Sequence, residues 1–522
     1  MMFSSDSRRV IQNTLLASSL ALGLACSSDD DTTQVTDASA GNSDASLTSA
    51  QQAELDAHIT SALERFQIPG AAVGIVRGNE LVYERGFGVR GVDDRTPVMQ
   101  TTRFMFGSVN KSMTSLMLAT LVDEGKLGWD DRMVDCIPGF ELASPASTTQ
   151  LSLRQALSHS SGIGRLDTPL FFRVLGPTEL IRATRELPVL DAPGEVFQYH
   201  NQMYAITGYV GALAAGSEFD DAALSANYTR LMQDRVLSPV GMSRTTLDFD
   251  TVLADADHAW PHSYNGRSGA LEAVPIGIEH FTLTTTPAGA AWGDVSDLAA
   301  YASTQLTGLG RSGRRVVSDE NLAALHQKQI TGYDDQGYAF GWWTREVLGM
   351  HAVSHDGDGM GFTSEVLLLP EADLGVVVLA NRVASQAFYR AVEQFAAETV
   401  LGREHASDTE LLAVNDELFS VLDGIAASTA PVSREQAAPY LGRYGDDVRV
   451  DFTNEGLVIQ TLFAPFTLES MGEPGVFASG GVMNGRFKAT FDDSVEPMRV
   501  RLDLLLSEEG VPQEYVLERT GE

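Results

Sequence analysis

Apolar residues recur with two different periods along this chain, and each period predicts one kind of element. Leu55, Ile59 and Leu63 follow the helical period, whereas the next apolar runs are short, strand-like and joined by a Gly-Asn turn. Short apolar runs return late in the chain and precede another helix. The predicted elements are a helix over 51–66, strands over 71–76 and 81–89, a buried helix from 108 to about 124, strands at 341–343, 365–369 and 375–380, and a helix near 385–402.

The order of these elements predicts the fold class of residues 50–402. Strands lie at both ends of this region, and helical stretches punctuated by glycine and proline fill the middle to about residue 280. One antiparallel sheet built from both ends and packed on a helical lobe fits this order. We therefore predict an α+β domain over 50–402.

The pattern changes after residue 402. Residues 403–433 are polar and partly helical and are interpreted as a linker, whereas 434–522 contain short alternating runs separated by turn signals. Such runs at even spacing predict a small all-β barrel or sandwich. The six strands predicted there cover 448–452, 457–460, 466–468, 487–491, 500–506 and 515–517.

The N-terminal segment has the composition of a leader followed by a tether. An apolar run over 15–25 follows Arg8-Arg9 and is too short to cross a bilayer, so 1–26 is interpreted as a signal peptide. Gly23-Leu24-Ala25-Cys26 is similar to a bacterial lipoprotein cleavage site, although Gly replaces the usual Leu, and predicts lipidation of Cys26; ordinary cleavage nearby is the alternative. Residues 27–49 are rich in Ser, Asp and Thr and are predicted to be a disordered tether. We expect an exported protein, either secreted or held in the periplasm or cell envelope by a lipid anchor.

Composition excludes some partners. The 522 residues carry a net charge of −34, which argues against nucleic acid as a partner because phosphate binding needs a basic surface.

Cys136 is the single cysteine outside the leader, so no internal disulfide is expected in the mature chain. His351 and His355 are four residues apart in a strand-like stretch without an adjacent glutamate, and we predict neither a metal nor a cofactor. The oligomeric state stays open.

One tetrapeptide carries candidate chemistry. Ser108-Val109-Asn110-Lys111 follows Gly107 at the predicted start of the buried helix, where unpaired N–H groups and the helix dipole favour an anion. Lys111 lies one turn beyond Ser108 on the same face. A buried lysine has a lowered pKa and can accept the proton of a serine hydroxyl. A capping serine followed by a solvated lysine is the structural alternative.

Two further clusters add polar groups of the required kinds. Tyr199 and Asn201 lie in a loop that enters a helix; a phenol can relay a proton and an amide can hold a substrate carbonyl. His355 precedes a glycine-rich stretch that begins at Gly357, where a backbone N–H can approach a developing oxyanion. A capping asparagine and a glycine-rich bulge are the structural alternatives.

Together, the three clusters resemble the motifs of the serine β-lactamase and penicillin-binding-protein superfamily, and within it the branch of class C β-lactamases, D-aminopeptidases and esterases. S-x-x-K matches Ser108 and Lys111, and Y-x-N matches Tyr199 and Asn201. H-x-G, found in esterase-like members where true β-lactamases have K-T-G, matches His355 and the glycine two residues later. The resemblance covers the α+β domain and implies a β-lactamase/transpeptidase-like fold. The C-terminal unit is similar to the lipocalin-like domains of some relatives.

The resemblance also implies a role for each matched residue. Ser108 would attack the substrate carbonyl, and Lys111 and Tyr199 would share the general-base role, with the identity of the base left open. The N–H groups of Ser108 and Asp358 would stabilise the oxyanion, and Asn201 would orient the acyl side chain. An acyl-enzyme on the serine would then be hydrolysed by water.

Departures in the third motif limit the substrate. His355 replaces the lysine that provides a fixed positive charge in β-lactamases, and Asp356 and Asp358 make this edge of the site acidic. A carboxylate placed there would be repelled by roughly 1 kcal/mol or more at about 4 Å. We therefore expect hydrolysis of small-molecule esters, small amides or peptides, including peptides with D-residues. A β-lactamase or D-alanyl-D-alanine carboxypeptidase, and a non-catalytic cell-wall-binding or sensor protein, are the alternatives.

Overall fold

A computed structural model describes residues 46–165, 167–504 and 514–521. The predicted signal peptide, Cys26 and nearly all of the predicted tether lie outside the described residues. Within the described ranges, no helix combines the length and the apolar character needed to cross a membrane.

The α+β domain is organised around one antiparallel sheet. Eight of its strands are joined side by side, and in order across the sheet they cover 80–88, 70–77, 374–380, 363–369, 350–358, 343–347, 337–338 and 330–331. Val73 in the first strand pairs with Val378 in the last, so strands from both ends of the domain lie side by side, which confirms the predicted sheet. The strands are β1 (Gly70–Arg77), β2 (Glu80–Gly88), β3 (Phe104–Met105), β4 (His262–Asn265), β5 (Ala270–Ala273), β6 (Trp292–Gly293), β7 (Ile330–Thr331), β8 (Gly337–Tyr338), β9 (Trp343–Val347), β10 (Met350–Asp358), β11 (Thr363–Leu369) and β12 (Leu374–Ala380).

Helices cover both faces of this sheet because successive side chains of a strand point to opposite sides. Val73 and Ile75 of β1 pack in one apolar core with the first and the last helix of the domain, whereas Ala72 and Val76 belong to the larger core of the helical lobe. The helices are α1 (Ser49–Arg65), α2 (Val109–Asp123), α3 (Met133–Cys136), α4 (Pro145–Gln150), α5 (Leu153–Leu157), α6 (Pro177–Ala183), α7 (Asn201–Ala214), α8 (Asp221–Met232), α9 (Ser238–Val240), α10 (Phe249–Ala254), α11 (Thr286–Gly289), α12 (Val295–Thr307), α13 (Asp319–His326) and α14 (Gln386–Leu401).

The region interpreted as a linker, 403–433, contains a long helix, α15 (Thr409–Ser428). A short helix, α16 (Arg434–Ala437), opens the C-terminal unit. Leu418, Phe419 and Leu422 of α15 form a small buried cluster with Val383 and Ala384 of the α+β domain. This segment therefore packs on the domain that precedes it.

The C-terminal unit is a closed antiparallel barrel of eight consecutive strands. It confirms the predicted barrel class and has a strand at each of the six predicted positions, although residues 505 and 506 of the fifth lie outside the described residues. Two short strands that the pattern does not predict, Gly442–Tyr444 and Val476–Ser479, complete the ring. The barrel consists of β13 (Gly442–Tyr444), β14 (Val448–Thr453), β15 (Gly456–Gln460), β16 (Pro465–Ser470), β17 (Val476–Ser479), β18 (Phe487–Asp492), β19 (Arg499–Leu504) and β20 (Tyr515–Gly521).

A loop of the α+β domain packs into the apolar core of the barrel. Phe172 is only 1% exposed, and its ring contacts Phe466 and Phe487 with centroids 6.2 and 5.5 Å apart. Ile278 and Met360, also from the α+β domain, lie in the same core. The barrel is thus fixed to the face of the domain that carries residues 171–172 and 360.

Candidate active site

Ser108 occupies the junction between β3 and α2. Gly107 has a φ of +51°, and a Cβ there would lie 2.9 Å from the amide nitrogen of Asp358, so both backbone conformation and space favour glycine. The Ser108 side chain does not cap α2. Its hydroxyl therefore remains available for other partners at the start of the helix.

Lys111 reaches back to this hydroxyl, as the helical spacing predicts. Its Nζ lies 2.9 Å from Ser108 Oγ and 3.0 Å from the carbonyl oxygen of Ala288 in α11. The side chain is fully buried, and burial holds the pKa of Lys111 well below its ordinary value, against the opposing effect of the Asp167 carboxylate. A lysine with a lowered pKa gives up its proton more easily than a solvated lysine does.

Tyr199 approaches the same serine from the loop before α7. Its hydroxyl is hydrogen-bonded to Ser108, and Lys111 Nζ lies 4.8 Å from the centre of its ring. Burial raises the pKa of Tyr199 well above its ordinary value, although the bond to Ser108 opposes this shift. The phenol therefore stays protonated while the neighbouring lysine loses its proton easily.

A buried histidine supports Tyr199 from behind. The rings of His159 and Tyr199 have centroids 4.2 Å apart, and His159 Nδ1 accepts a hydrogen bond from the backbone N–H of His200 at 3.1 Å. The His200 side chain in turn caps α7 by accepting from the N–H of Met203. These two histidines fix the segment that carries Tyr199 and, at the first position of α7, Asn201.

The end of β10 lies against the amide of the serine. A Cβ at Gly357 would lie 2.0 Å from the carbonyl oxygen of Phe106 and 2.8 Å from the nitrogen of Ser108, so only glycine fits. The first N–H groups of a helix lack intrahelical partners. The structure thus brings the backbone of Gly357 and Asp358 beside an N–H of this kind at Ser108.

His355 lies beneath the site rather than on its surface. The ring is 1% exposed, and Nδ1 lies 2.6 Å from the carbonyl oxygen of Asp356, which can only accept, so Nδ1 carries the proton. Nε2 then accepts a hydrogen bond from the Tyr338 hydroxyl at 3.1 Å. Burial lowers the pKa of His355 to about 3, so the third motif provides no positive charge.

The two aspartates of this edge are less acidic than their sequence suggests. Burial raises the pKa of Asp358, and the nearby Asp356 carboxylate adds to the shift. Burial also raises the pKa of Asp356, against the positive charge of Arg390. The Asp358 carboxylate accepts hydrogen bonds from Thr363 and Gln386 at 3.1 and 2.8 Å. Their raised pKa values reduce the negative charge presented near neutral pH.

A cavity of about 210 Å³ opens above the serine. Its described lining includes Ser108, Tyr199, Asn201, Asp356 and Asp358 from the predicted clusters, but not Lys111, His355 or Gly357. The motifs do not point to several other lining residues, which come from distant parts of the chain. These are Arg165, Asp167, Phe171, Phe281, Tyr333, Arg486 and Leu504.

Comparison with known proteins places this constellation in a family. The model of the Beta-lactamase family matches residues 55–401, which is most of the chain. The chain belongs to the Beta-lactamase family. Its members are serine hydrolases with the S-x-x-K serine and lysine that the structure here brings within hydrogen-bond distance.

Individual proteins similar to this β-lactamase family member share about a quarter of its residues over the aligned region. "Protein flp" of Staphylococcus aureus (strain MW2) is 25% identical over 380 residues, covering 72% of each chain. "Unguisins hydrolase ungD'" of Aspergillus campestris is 26% identical over 343 residues, covering 63% of this chain and 61% of that protein. The octameric penicillin-binding protein homologue from Pyrococcus abyssi has a TM-score of 0.59 at 23% identity and covers 89% of this chain and 99% of its own. At this sequence identity, the structural likeness shows a shared fold and no more.

Proposed function

We propose that this β-lactamase family enzyme hydrolyses esters, small amides or peptides, including peptides with D-residues, through an acyl-enzyme on Ser108. The observation that carries the proposal is the contact of the Ser108 hydroxyl with both Lys111, at 2.9 Å, and Tyr199. Nucleophile and base within hydrogen-bond reach are the signature of covalent catalysis by serine.

The opposite pKa shifts favour Lys111 as the base. A neutral lysine amine accepts the proton of Ser108 as the hydroxyl oxygen attacks the substrate carbonyl, and it remains oriented by donating to Ala288. Tyr199, a protonated phenol, gives its proton to the leaving group, and the phenolate is reprotonated by the Lys111 ammonium, which carries the proton taken from Ser108. Water then attacks the acyl-enzyme with the same groups in reverse roles.

The developing oxyanion would lie between the N–H groups of Ser108 and Asp358. The tight approach of Gly357 to the Ser108 amide supports this assignment because it holds the two backbone segments together. Donors fixed in this way stabilise charge without reorganising during the reaction. Asn201, on the cavity wall, is proposed to orient the acyl side chain.

The neutral third motif supports the preference for esters and small amides over anionic β-lactams. His355 is buried and uncharged, so the lysine that β-lactamases use at this position has no substitute in β10. A panel of p-nitrophenyl esters, D-amino acid amides and nitrocefin tests the preference. Turnover of nitrocefin that rivals that of a short-chain ester would instead support a β-lactamase.

A fluorophosphonate probe tests the catalytic proposal against a silent cell-wall sensor. The wild-type chain should be labelled and should turn over esters, and Ser108→Ala should lose both properties. Labelling of Ser108 without turnover of any substrate on the panel would favour the sensor. Ester hydrolysis by Ser108→Ala at the wild-type rate would refute the proposed nucleophile.

A further inference from the structure

The barrel places an arginine in the wall of the active-site cavity. Arg486 precedes β18 and lines the same cavity as Ser108. Its backbone is held in a tight turn: Gly485, with a φ of +70°, donates to the carbonyl of Ser479 at 2.9 Å, and the N–H of Arg486 donates to Met483 at 3.0 Å. A fixed backbone presents this side chain reproducibly.

The turn is also anchored to the α+β domain. Phe487, the next residue, packs against Phe171 and Phe172 with ring centroids 5.3 and 5.5 Å apart. Phe171 itself lines the cavity and stacks on Phe281 at 4.8 Å. Arg486 is therefore held at a defined place relative to the serine, although it belongs to another unit of the chain.

The guanidinium of Arg486 has no protein partner among the described residues. Within the described residues its side chain makes no hydrogen bond or ion pair. The two acidic groups that influence it are engaged elsewhere: Asp358 accepts from Thr363 and Gln386, and Glu279 accepts from the backbone N–H groups of residues 360 and 361. The N–H donors of Arg486 thus remain available to a molecule in the cavity.

We infer that Arg486 binds a free carboxylate of the substrate, so that the preferred esters, amides or peptides are carboxylate-bearing. The inference deepens the proposed function and rests on it. A guanidinium offers paired donors that match a carboxylate, and such charge-assisted bonds are among the strongest in proteins. The barrel thereby provides a cation in a wall of the cavity other than β10, where the lysine of a β-lactamase would lie.

Matched substrates test this inference on either side of the scissile bond. For an acyl-side carboxylate, the pair is p-nitrophenyl hemiglutarate and the p-nitrophenyl ester of glutaramic acid. For a leaving-group carboxylate, it is N-acetyl-D-alanyl-D-lactate and its lactamide. Each is assayed with wild type, Arg486→Gln and Arg486→Lys. Arg449→Gln is the control, because it removes the same charge from an exposed barrel arginine that pairs with Asp451.

We expect the wild type to prefer the carboxylate member of at least one pair. Arg486→Gln should lower kcat/KM for that member by about 10- to 100-fold, chiefly through KM, and leave the neutral member within about twofold. Arg486→Lys should retain part of the preference, and Arg449→Gln all of it. A wild type without preference in both pairs, or an equal loss on charged and neutral members, would overturn the inference.

Binding separates this inference from the proposed function. Calorimetric titration of Ser108→Ala reports carboxylate recognition without turnover. Two matched pairs are used: N-acetyl-D-alanyl-D-alanine with its C-terminal amide, and glutarate with glutaramate. Preference for an acid in Ser108→Ala and its loss in the Ser108→Ala, Arg486→Gln double variant support the role of Arg486 even if no hydrolysis is found. Equal binding of acid and amide in both pairs contradicts it, whatever the activity.

Discussion

The pKa of Lys111 provides the sharpest quantitative prediction. Its side chain is fully buried and bonded to Ser108 and Ala288, and burial lowers its pKa. Lys111→Met keeps a linear apolar side chain of similar length and removes only the titratable group. General acid–base groups contribute about 10²- to 10⁴-fold, so kcat/KM should fall by that factor, or about 3–5 kcal/mol of transition-state stabilisation.

The same substitution also changes the stability of the fold, and the size of this change depends on pH. The unfolded chain keeps a protonated lysine up to about pH 10.4, whereas the folded chain releases the proton at a lower pH. Between these two values the unfolded state binds more protons, so wild-type stability rises with pH by about 1.4 kcal/mol per unit relative to Lys111→Met. A constant cost of about 1–3 kcal/mol is expected in the variant because the Ala288 carbonyl loses its donor.

Urea unfolding in half-unit steps from pH 6 to 9.5 measures both effects, with p-nitrophenyl ester hydrolysis alongside. The control is Lys126→Met, which changes an exposed lysine paired with Glu124. It should alter neither the slope of the unfolding free energy against pH nor the rate of ester hydrolysis. Parallel stability curves for wild type and Lys111→Met across this range would refute the lowered pKa. An activity within threefold of wild type would refute the role of Lys111 as base.

Three further perturbations test the backbone contact, the barrel interface and the anchor. Gly357→Ala should reduce ester turnover more than 100-fold and destabilise the domain by about 1–3 kcal/mol, because its Cβ would overlap Phe106 and crowd Ser108; wild-type kinetics would contradict this. Phe172→Ala should cost about 3–5 kcal/mol in urea unfolding, since the ring is fully packed in the barrel core; a loss below 1 kcal/mol would contradict the docking. Radiolabelled palmitate should label the exported wild type but not Cys26→Ser, and an unlabelled wild type would exclude the lipid anchor.

Motif spacing was sufficient to predict that Ser108 and Lys111 lie side by side. Ser108 and Lys111 are neighbours on one helix, and the helical period alone puts them on the same face. Tyr199 is distant in sequence, and only its Y-x-N motif links it to them. The antiparallel sheet was predictable because its strands lie at both ends of the domain.

The depth of His355 and the position of Arg486 could not be predicted in this way. The pattern predicts a strand-like, glycine-rich stretch, but the packing of β10, which covers residues 350–358, decides which of its side chains reach the cavity. Arg486 belongs to no motif and reaches the site through the docking of the barrel, which depends on aromatic contacts such as Phe172 with Phe487. The two missed barrel strands have three and four residues, too short for a clear alternation.

Rapid-quench mass spectrometry tests the central claim most directly. The enzyme is mixed with excess p-nitrophenyl ester, quenched in acid within the first turnovers, digested and mapped. The proposed mechanism predicts that the peptide containing Ser108 gains the mass of the acyl group, and that Ser108→Ala shows neither adduct nor turnover. An acyl group on another residue, or undiminished turnover by Ser108→Ala, would contradict it.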